Sequence, residues 1–427
     1  MPLNLHPACI ARLEEILAEA MGRLEVTHGM FLDWASTAAL SPLDPALPNQ
    51  DRQPISLTAM IDERPLSDFA ADRIGRRLTE VGTYVEQGIP VPEPLVGLAP
   101  FADPPPIARE VVAEFASLPW EYKFSLRLPR PIGSALENLF DESGRMDVGA
   151  GISLVRSSEA LEGEYPLPHQ GGLLAALAGG TAWERDGVYL QVPLAGYADR
   201  FGTTGTAMRA VETLQTFLGL GMALRLFDYR PTYTPTAFGP PRSAYHIHRR
   251  ADDRWVFDAT VNLEATVVMG LEGFSMRDFG EDFPYGMFVR NVLTTMRVCF
   301  SHPIEAGRIM RSAQWLAGSY ASRNETLSFV QAMVAMEILL GDKRTTDMVG
   351  IGELLSNRCA YLIGDSQADR EQVLADFRGL YSVRSEIVHS GKSRLSYSER
   401  IKFNRLLYMC GRSIMAEIAL LKKNQQA

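Results

Sequence analysis

The spacing of apolar positions changes along the chain and divides it into three regions. Residues 1–118 carry segments with helix periodicity, such as HPACIARLEEILAEAMGRLE and PLSDFAADRIGRRLTEVGTYVEQ, separated by proline-rich connections. Residues 119–287 mix alternating, strand-like segments with helical ones, and they form either one domain with the first region or a second domain. From residue 288 the helix periodicity is nearly continuous. We therefore predict an α+β fold: a mixed helix and strand N-terminal region followed by an all-α bundle over 288–427.

Specific elements follow from these patterns in the second and third regions. EYKFSLRLP and GVYLQVPLA alternate like strands, AVETLQTFLGLGMALRLF has helix periodicity, and SAYHIHRRADDRWVFDATVNL indicates a hairpin that turns at ADD. Six helical segments with short polar connections follow residue 288, which is typical of a compact helical bundle.

Two histidines in the predicted hairpin raise the possibility of a metal site. His246 and His248 lie on one face of a strand, and Asp252, Asp253 and Asp258 follow in the sequence. Two ligands in a hairpin are too few to define a zinc centre, so we predict surface histidines and no metal or other cofactor.

Composition favours a cytoplasmic protein with substantial cores. Apolar residues make up 46% of the chain, no stretch reaches the length of a membrane span, and the N-terminus lacks the order of a signal peptide. The cysteines Cys9, Cys299, Cys359 and Cys410 are scattered, which indicates buried thiols rather than disulfides or zinc ligands.

Charge is distributed unevenly. The net charge of the chain is -9, but residues 288–427 hold 19 Lys and Arg against 13 Asp and Glu. A basic third beside an acidic remainder is a hint about partners, and the basic part either faces nucleic acid or is a solvated surface.

The stretch YSVRSEIVHSGK, at 381–392, carries the candidate chemistry. Phe377, Tyr381, Arg384 and Val388 follow one another at helix spacing and predict a core-facing stripe, and Gly391 predicts the helix end. A charge on a buried face is costly unless it is paired or lines a wet site. Arg384 therefore needs either a structural partner or a chemical task.

An arginine followed by a histidine after four to six intervening residues is by itself a weak signal. Roughly one or two such matches arise by chance in a chain of this composition. Four occur here, and only the last, Arg384–His389, lies on an apolar helical stripe. We therefore predict no catalysis at the other three pairs, which are Arg23–His28, Arg242–His248 and Arg297–His302.

The surroundings of the last pair resemble the HEPN superfamily, specifically its Apea-like branch. That branch has the pattern Tyr-x2-Arg-Ser-x-hydrophobic-x-His-x-Gly, supplied here by Tyr381, Arg384, Ser385, Ile387, Val388, His389 and Gly391. Upstream, RSAQWLAGS, FVQAMVAMEILLG and ELLSNRCAYLIG are similar to the family's preceding helices, in the same order. The resemblance covers about 288–427, and Ser385 stands where many catalytic members have Asn, Asp or His.

This resemblance implies a metal-independent endoribonuclease, or else a non-catalytic scaffold that binds nucleic acid or a partner protein. The residue types fit the first. RNA carries its own nucleophile in the 2′-hydroxyl, an imidazole can exchange that proton near neutral pH, and a guanidinium can hold the phosphate. Arg384 and His389 are the predicted catalytic residues, and a 2′,3′-cyclic phosphate is the expected product.

The spacing of the pair favours a shared site. Five residues on a straight helix place Arg384 and His389 about 140° apart, so one helix makes a poor site. Two chains related by a two-fold axis can complete each other's site, and the resemblance also implies a homodimer through this bundle. Glu337 is the predicted structural partner of Arg384, with Ser385 and Tyr381 in supporting positions.

Basic residues after the motif are candidates for RNA contacts. Lys392, Arg394, Arg400 and Lys402 are interleaved with aromatics and either bind phosphates or form the solvated face of a core helix. Residues 1–287 show no catalytic constellation, so we expect a sensor or regulator there that responds to a phage or another trigger. Such an arrangement suits antiviral defence or a toxin system.

Overall fold

The computed structural model describes residues 3–47, 57–82, 84–85, 91–168, 182–231, 243–280, 282–341 and 351–426. Within these ranges the chain mixes helices with sheets and is all-helical at its C-terminal end, which confirms the predicted α+β class. It divides into two compact units, Met1–Tyr122 with Leu194–Met208, and Lys123–Pro193 with Arg209–Ala427. The units therefore do not follow the predicted regions, because the return segment 194–208 belongs to the first unit, whereas 123–193 and 209–287 belong to the same unit as the C-terminal helices.

Helices dominate the first unit, as the periodicity of its sequence predicted. They are α1 (Pro7–Met21), α2 (Leu66–Val81) and α3 (Pro104–Ala116), with a 3-10 helix over Ser36–Ala46. A small antiparallel sheet in the order β2-β1-β3 pairs β1 (Glu25–Thr27) with β2 (Phe31–Leu32) and β3 (Glu93–Pro94). Helix α2 ends earlier than its periodicity suggested, because the backbone of Gly82 is extended, with ψ 150°, although its N–H still donates to the Leu78 carbonyl.

A buried ionic cluster on α2 was not predicted. Asp72 accepts hydrogen bonds from Arg76 Nε, at 2.9 Å, and from the hydroxyl of Tyr197. Arg76 also donates to the carbonyl oxygen of Ala198, at 3.0 Å. Burial, reinforced by the charge of Asp72, raises the pKa of Tyr197 well above its usual range, so this tyrosine stays protonated. The cluster ties α2 to the return segment of the first unit.

A six-stranded sheet lies mainly in the second unit, with strand order β10-β9-β4-β7-β6-β5. Its members are β4 (Trp120–Arg127), β5 (Arg145–Gly149), β6 (Ile152–Arg156), β7 (Val188–Gly196), β9 (Ala244–Ala251) and β10 (Arg254–Asn262). Strands β4 and β7 were both predicted from their alternation. The predicted hairpin is also confirmed, since β9 and β10 pair antiparallel and turn at Asp252 and Asp253.

Shorter elements complete this part of the chain. A two-stranded antiparallel pair joins β8 (Phe227–Tyr229) to β11 (Phe274–Met276). The helices are α4 (Arg130–Glu137), α5 (Glu159–Glu164), α6 (Gly205–Ala223) and α7 (Ala265–Leu271). Helix α6 confirms most of the helix predicted over residues 210–227. The structure ends this helix at Ala223, and Phe227 already belongs to β8.

The prediction that His246 and His248 lie on the surface is wrong. Their exposed fractions are 3% and 0%, because β9 is an inner strand of the sheet and is covered on both faces. The indole of Trp183 stacks on the ring of His248 and meets that of His246 edge-on. Burial lowers the pKa of His246 to about 3 and that of His248 to about 4, so both are neutral at physiological pH.

The six predicted C-terminal helices are confirmed. They are α8 (Tyr285–Ser301), α9 (Gly307–Ala321), α10 (Glu325–Leu340), α11 (Ile351–Ile363), α12 (Gln367–Ser390) and α13 (Tyr397–Gln426). Their shared core includes Phe329 and Met333 from α10, Phe377 from α12 and Met409 from α13. Three of the four cysteines are buried as predicted, and all four are free thiols, whereas Cys9 is half-buried.

Candidate functional site

The end of α12 is set by local sequence, as predicted. Ser366 caps its N-terminus by accepting a hydrogen bond from the Asp369 N–H. At the other end Gly391 takes the left-handed conformation, with φ 65°, and its N–H donates to the carbonyl oxygen of Glu386. Glycine is the residue that adopts this conformation without a steric penalty, so the helix stops directly after His389 and Ser390.

The predicted apolar stripe on α12 is wrong in its position around the helix. The buried residues are Val373, Phe377, Leu380 and Val383, whereas Val388 is 48% exposed. After Phe377 the buried seam advances in steps of three rather than alternating three and four, so it turns away from the predicted stripe. Tyr381 and Arg384 consequently lie at the edge of the core and are half-buried.

Arg384 faces helix α10 and pairs with Glu337, the partner predicted for it. Its Nε lies 3.5 Å from Glu337 Oε1, and the two side chains keep 24% and 21% of their exposure. Neither of these two atoms has a hydrogen-bond partner in the described part of the chain. Burial raises the pKa of Glu337, and the charge of Arg384 opposes that rise. The arrangement is an ion pair at the core edge with hydrogen-bonding capacity to spare.

Tyr381 and Ser385, which were predicted in supporting positions, both lie close to Arg384 along α12. The guanidinium carbon of Arg384 lies 5.9 Å from the centre of the Tyr381 ring, within reach of a cation–π attraction. Ser385, the next residue along α12, is half-buried. Tyr381 and Glu337 thus both lie beside Arg384, which limits the positions that its guanidinium can take.

His389 lies apart from Arg384. It is exposed in the last turn of α12, where a basic side chain is also favoured by the negative end of the helix dipole. Because the two residues are about 140° apart around the helix, Arg384 points toward α10 while His389 faces solvent. A single chain does not bring the pair together at one reacting atom.

The four basic residues predicted to contact RNA divide into two groups. Lys392 is held by Glu386, at 2.8 Å, and by Glu399, and Arg400 pairs with Glu325 at 3.0 Å. Arg394 and Lys402 are exposed. Ion pairing leaves less of the positive charge of Lys392 and Arg400 for a phosphate. The positive charge near the motif that can bind RNA is therefore smaller than the sequence suggests.

Glu399 has a structural role that connects α12 to α13. Its carboxylate accepts a hydrogen bond from the Ser396 N–H at 2.7 Å, while the Ser396 hydroxyl accepts one from the Glu399 N–H. This reciprocal pair is a capping box at the start of α13. Hydrogen bonds from Lys392 and Ser396 lower the pKa of Glu399 to about 2. Lys392 therefore fastens the turn after the motif rather than reaching outward.

The remaining arginine–histidine pairs have other surroundings. Arg297 forms an ion pair with Asp147, with 2.7 Å between Nη2 and Oδ2, and His302 donates from Nδ1 to the Val298 carbonyl at 3.0 Å. His28 stacks on Tyr84, with 5.6 Å between ring centres. His248 is buried, and Arg242 lies outside the described residues.

Sequence reasoning missed a second group of polar residues in the bundle. Arg308, Arg358 and Glu417 come from three different helices and line one concave surface. Their spacing in the sequence carries no motif, so only the packing of the helices reveals them.

Comparisons with protein-family models, curated proteins and solved structures found no match for this chain. Within the described ranges, no group of three or more His, Cys, Asp and Glu side chains is placed to hold a metal ion. None of the helices in those ranges is long and apolar enough to cross a membrane.

Proposed function

We propose that this chain is a metal-independent endoribonuclease of the HEPN type that acts as a homodimer. The observation that carries the proposal is the setting of the Arg-x4-His pair: Arg384 is held at the core edge by Glu337 and Tyr381, and His389 is exposed at the end of the same helix. A second copy related by a two-fold axis can place its own His389 near this arginine. The dimer would thus complete a site whose two residues lie apart on one helix.

The reaction follows from the chemistry of the two side chains. A neutral His389 accepts the proton of the RNA 2′-hydroxyl, and the 2′-oxygen attacks the adjacent phosphorus. The bond from phosphorus to the 5′-oxygen breaks, that oxygen takes up a proton, and a 2′,3′-cyclic phosphate remains. Arg384 stabilises the negative charge that builds on the phosphate oxygens.

A direct test incubates the purified full chain with total RNA and with tRNA in excess EDTA. We expect cleavage products that end in a 2′,3′-cyclic phosphate, and none from the His389→Ala protein. Cleavage that needs an added metal ion, or that persists without His389, would contradict the proposal.

One observation favours a second candidate, a non-catalytic scaffold that binds nucleic acid or a partner protein. The Arg384–Glu337 pair gives the arginine a structural task that needs no substrate. In a scaffold, Arg384→Ala lowers stability because Glu337 loses its counter-charge. Since the folded pKa of Glu337 is already raised, the loss grows as the pH rises above about 4.5.

Urea unfolding of the Arg384→Ala and Glu337→Gln proteins at pH 4 and pH 7 measures this structural contribution. A large, pH-dependent loss of unfolding free energy in Arg384→Ala, together with no RNA cleavage by the unmodified chain, would establish the scaffold.

Residues 1–287, before the bundle, supply the proposed sensor or regulator in either case. Its ligand is a phage component or another trigger.

A further inference from the structure

The C-terminal bundle contains a groove that neither Arg384 nor Glu337 lines. Its first part, with a volume of about 490 Å³, is lined by residues from α9, α10, α11 and α13. Helix α11 contributes Leu354, Asn357, Arg358 and Tyr361, which share one face of the helix. A second concavity of about 660 Å³ shares Arg308, Leu339 and Glu417 with the first. This size is in the range of ordinary small-molecule sites.

The two arginines of the groove are occupied by the end of helix α10. Arg308 donates from its two terminal nitrogens to the carbonyls of Leu339, at 2.8 Å, and Gly341, at 3.3 Å. Arg358 donates to the carbonyl of Leu340 at 2.7 Å. The last carbonyls of a helix lack partners within the helix, so both arginines serve as its cap. The positive charges of both arginines also act on Glu417 across the groove.

Glu417 is the group in the groove whose hydrogen-bonding capacity is unused. It is half-buried, and its carboxylate accepts no hydrogen bond from any of the residues that the structure describes. Burial raises its pKa, and the charges of Arg308 and Arg358 oppose that rise. A carboxylate in such a place offers two acceptor oxygens to a ligand that brings its own donors.

Tyr361 supplies a flat wall beside this carboxylate. The residue is 74% exposed, and the guanidinium carbon of Arg370 lies 5.3 Å from its ring centre. The cation thus lies over the ring, while most of the Tyr361 side chain, which also lines the groove, stays exposed. Exposed aromatic faces of this kind stack nucleobases.

We propose that this groove binds a guanine base, with the N1–H and N2–H groups donating to the Glu417 carboxylate and the ring stacked on Tyr361. The two arginines disfavour a cationic ligand, and Glu417 disfavours an anion placed at the same point. A neutral, planar ligand with two adjacent N–H donors satisfies both constraints. Leu339, Leu340 and Leu354 offer an apolar floor, and the amide of Asn357 can donate to the guanine O6.

The other bases fit less well for a chemical reason. Adenine and cytosine present a single amino donor beside a ring nitrogen whose lone pair faces the carboxylate, and uracil flanks its N–H with two carbonyls. Guanine is the standard base with two neighbouring donors on this edge. It can arrive either as a free nucleotide or as an unstacked base of single-stranded RNA.

Calorimetric titration of the full-length His389→Ala protein tests the proposal without interference from cleavage. The probes are GMP, IMP, AMP, CMP and UMP, with hexauridylate and a hexauridylate that carries one central guanosine. We expect GMP or the guanosine-containing strand to bind with a Kd of about 1 mM or below, and IMP, which lacks the N2 amino group, to bind about tenfold more weakly than GMP. Tight binding of GMP indicates a free nucleotide, and binding of the substituted strand alone indicates a base within RNA.

Three variants locate the site. Glu417→Gln should weaken the binding of guanine by about tenfold or more, since charged hydrogen bonds are the stronger ones. Glu305→Gln, which changes a carboxylate that lines only the second concavity, should leave it unchanged. Tyr361→Ala alters an exposed side chain and should weaken binding even if Glu417→Gln does not fold.

The proposal fails if neither GMP nor the guanosine-containing strand binds up to about 10 mM, if GMP and the other nucleotides bind equally, or if neither Glu417→Gln nor Tyr361→Ala changes the affinity. Each outcome is independent of whether the chain cleaves RNA, because every measurement is one of binding.

Discussion

At the residue scale, Arg384 and His389 lie in different surroundings, so their removal has different costs. His389 is exposed, and its loss should change the free energy of unfolding by less than about 0.5 kcal/mol. Arg384 is half-buried beside Glu337, and its loss should cost about 1 kcal/mol, a value limited by the remaining exposure of the pair.

Activity should respond far more strongly than stability at these two positions. Arg384→Ala and His389→Ala should each lower the rate of RNA cleavage by about 100-fold or more, the usual contribution of a general base or of a charge-stabilising donor. The measurement is the initial rate on one defined RNA in EDTA. Arg378→Ala, which removes an exposed arginine from the same helix, is the matched control and should retain the rate of the unmodified chain. Equal losses in all three proteins would discard the motif.

At the element scale, the junction between α12 and α13 predicts a pH-dependent loss of stability. Glu399→Gln should lower the free energy of unfolding by about 1 kcal/mol at pH 7, because the capping carboxylate loses its charge. The folded pKa of Glu399, about 2, lies below its usual value of 4.5. Its contribution is therefore complete above about pH 4.5 and disappears as the pH falls toward 2.

Urea unfolding at pH 7 and at pH 3 should show this difference shrinking in acid. Glu386→Gln is the matched control, since Glu386 also pairs with Lys392 but caps no helix with its side chain. A loss of the same size at both pH values would show that the charge of Glu399 is not what stabilises the junction.

Helix packing in the second unit depends on one glycine. A Cβ on Gly219, in α6, would lie 1.8 Å from the carbonyl oxygen of Ala313 in α9. Gly219→Ala should therefore cost about 3 kcal/mol or prevent folding, because neither backbone can move without opening the core. Gly307→Ala is the control, since a Cβ there meets no atom within 4 Å. Thermal unfolding of both proteins tests whether α6 and the C-terminal helices pack this closely.

At the scale of the whole molecule, the separation of Arg384 and His389 on one helix predicts that activity depends on assembly. Cleavage per chain should fall when the protein is diluted below the dissociation constant of the dimer, and sedimentation should show dimers at the concentrations that are active. A monomer that retains its full rate per chain on dilution would refute the composite site.

The predicted regions and the compact units differ because the units depend on long-range contacts, which local periodicity does not reveal. The sequence changes character at residue 288, because local periodicity changes there, and the structure indeed begins α8 at Tyr285. Yet Gly149 lies against the backbone of Arg297, and Gly219 lies against that of Ala313, so residues before 288 belong to the core of the second unit. Contacts of this range leave no periodic trace in the chain.

The sequence by itself determined the features that depend on neighbours within about one helical turn. The six C-terminal helices, the hairpin turn at Asp252 and the helix stop at Gly391 all follow from periodicity, turn residues and caps. It also predicted that Arg384 needs a partner and that Glu337 is that partner, and the structure confirms this pairing.

Tertiary structure alone decided which of these side chains are buried, paired or exposed. Burial depends on distant elements: β9 is covered on both faces, so His246 and His248 are core residues, and the seam of α12 places Arg384 at its edge. The groove around Glu417 needs four helices from separate parts of the chain, and Lys392 is occupied by carboxylates that approach from two helices. Local chemistry sets the elements, whereas long-range packing sets the environment in which each functional group acts.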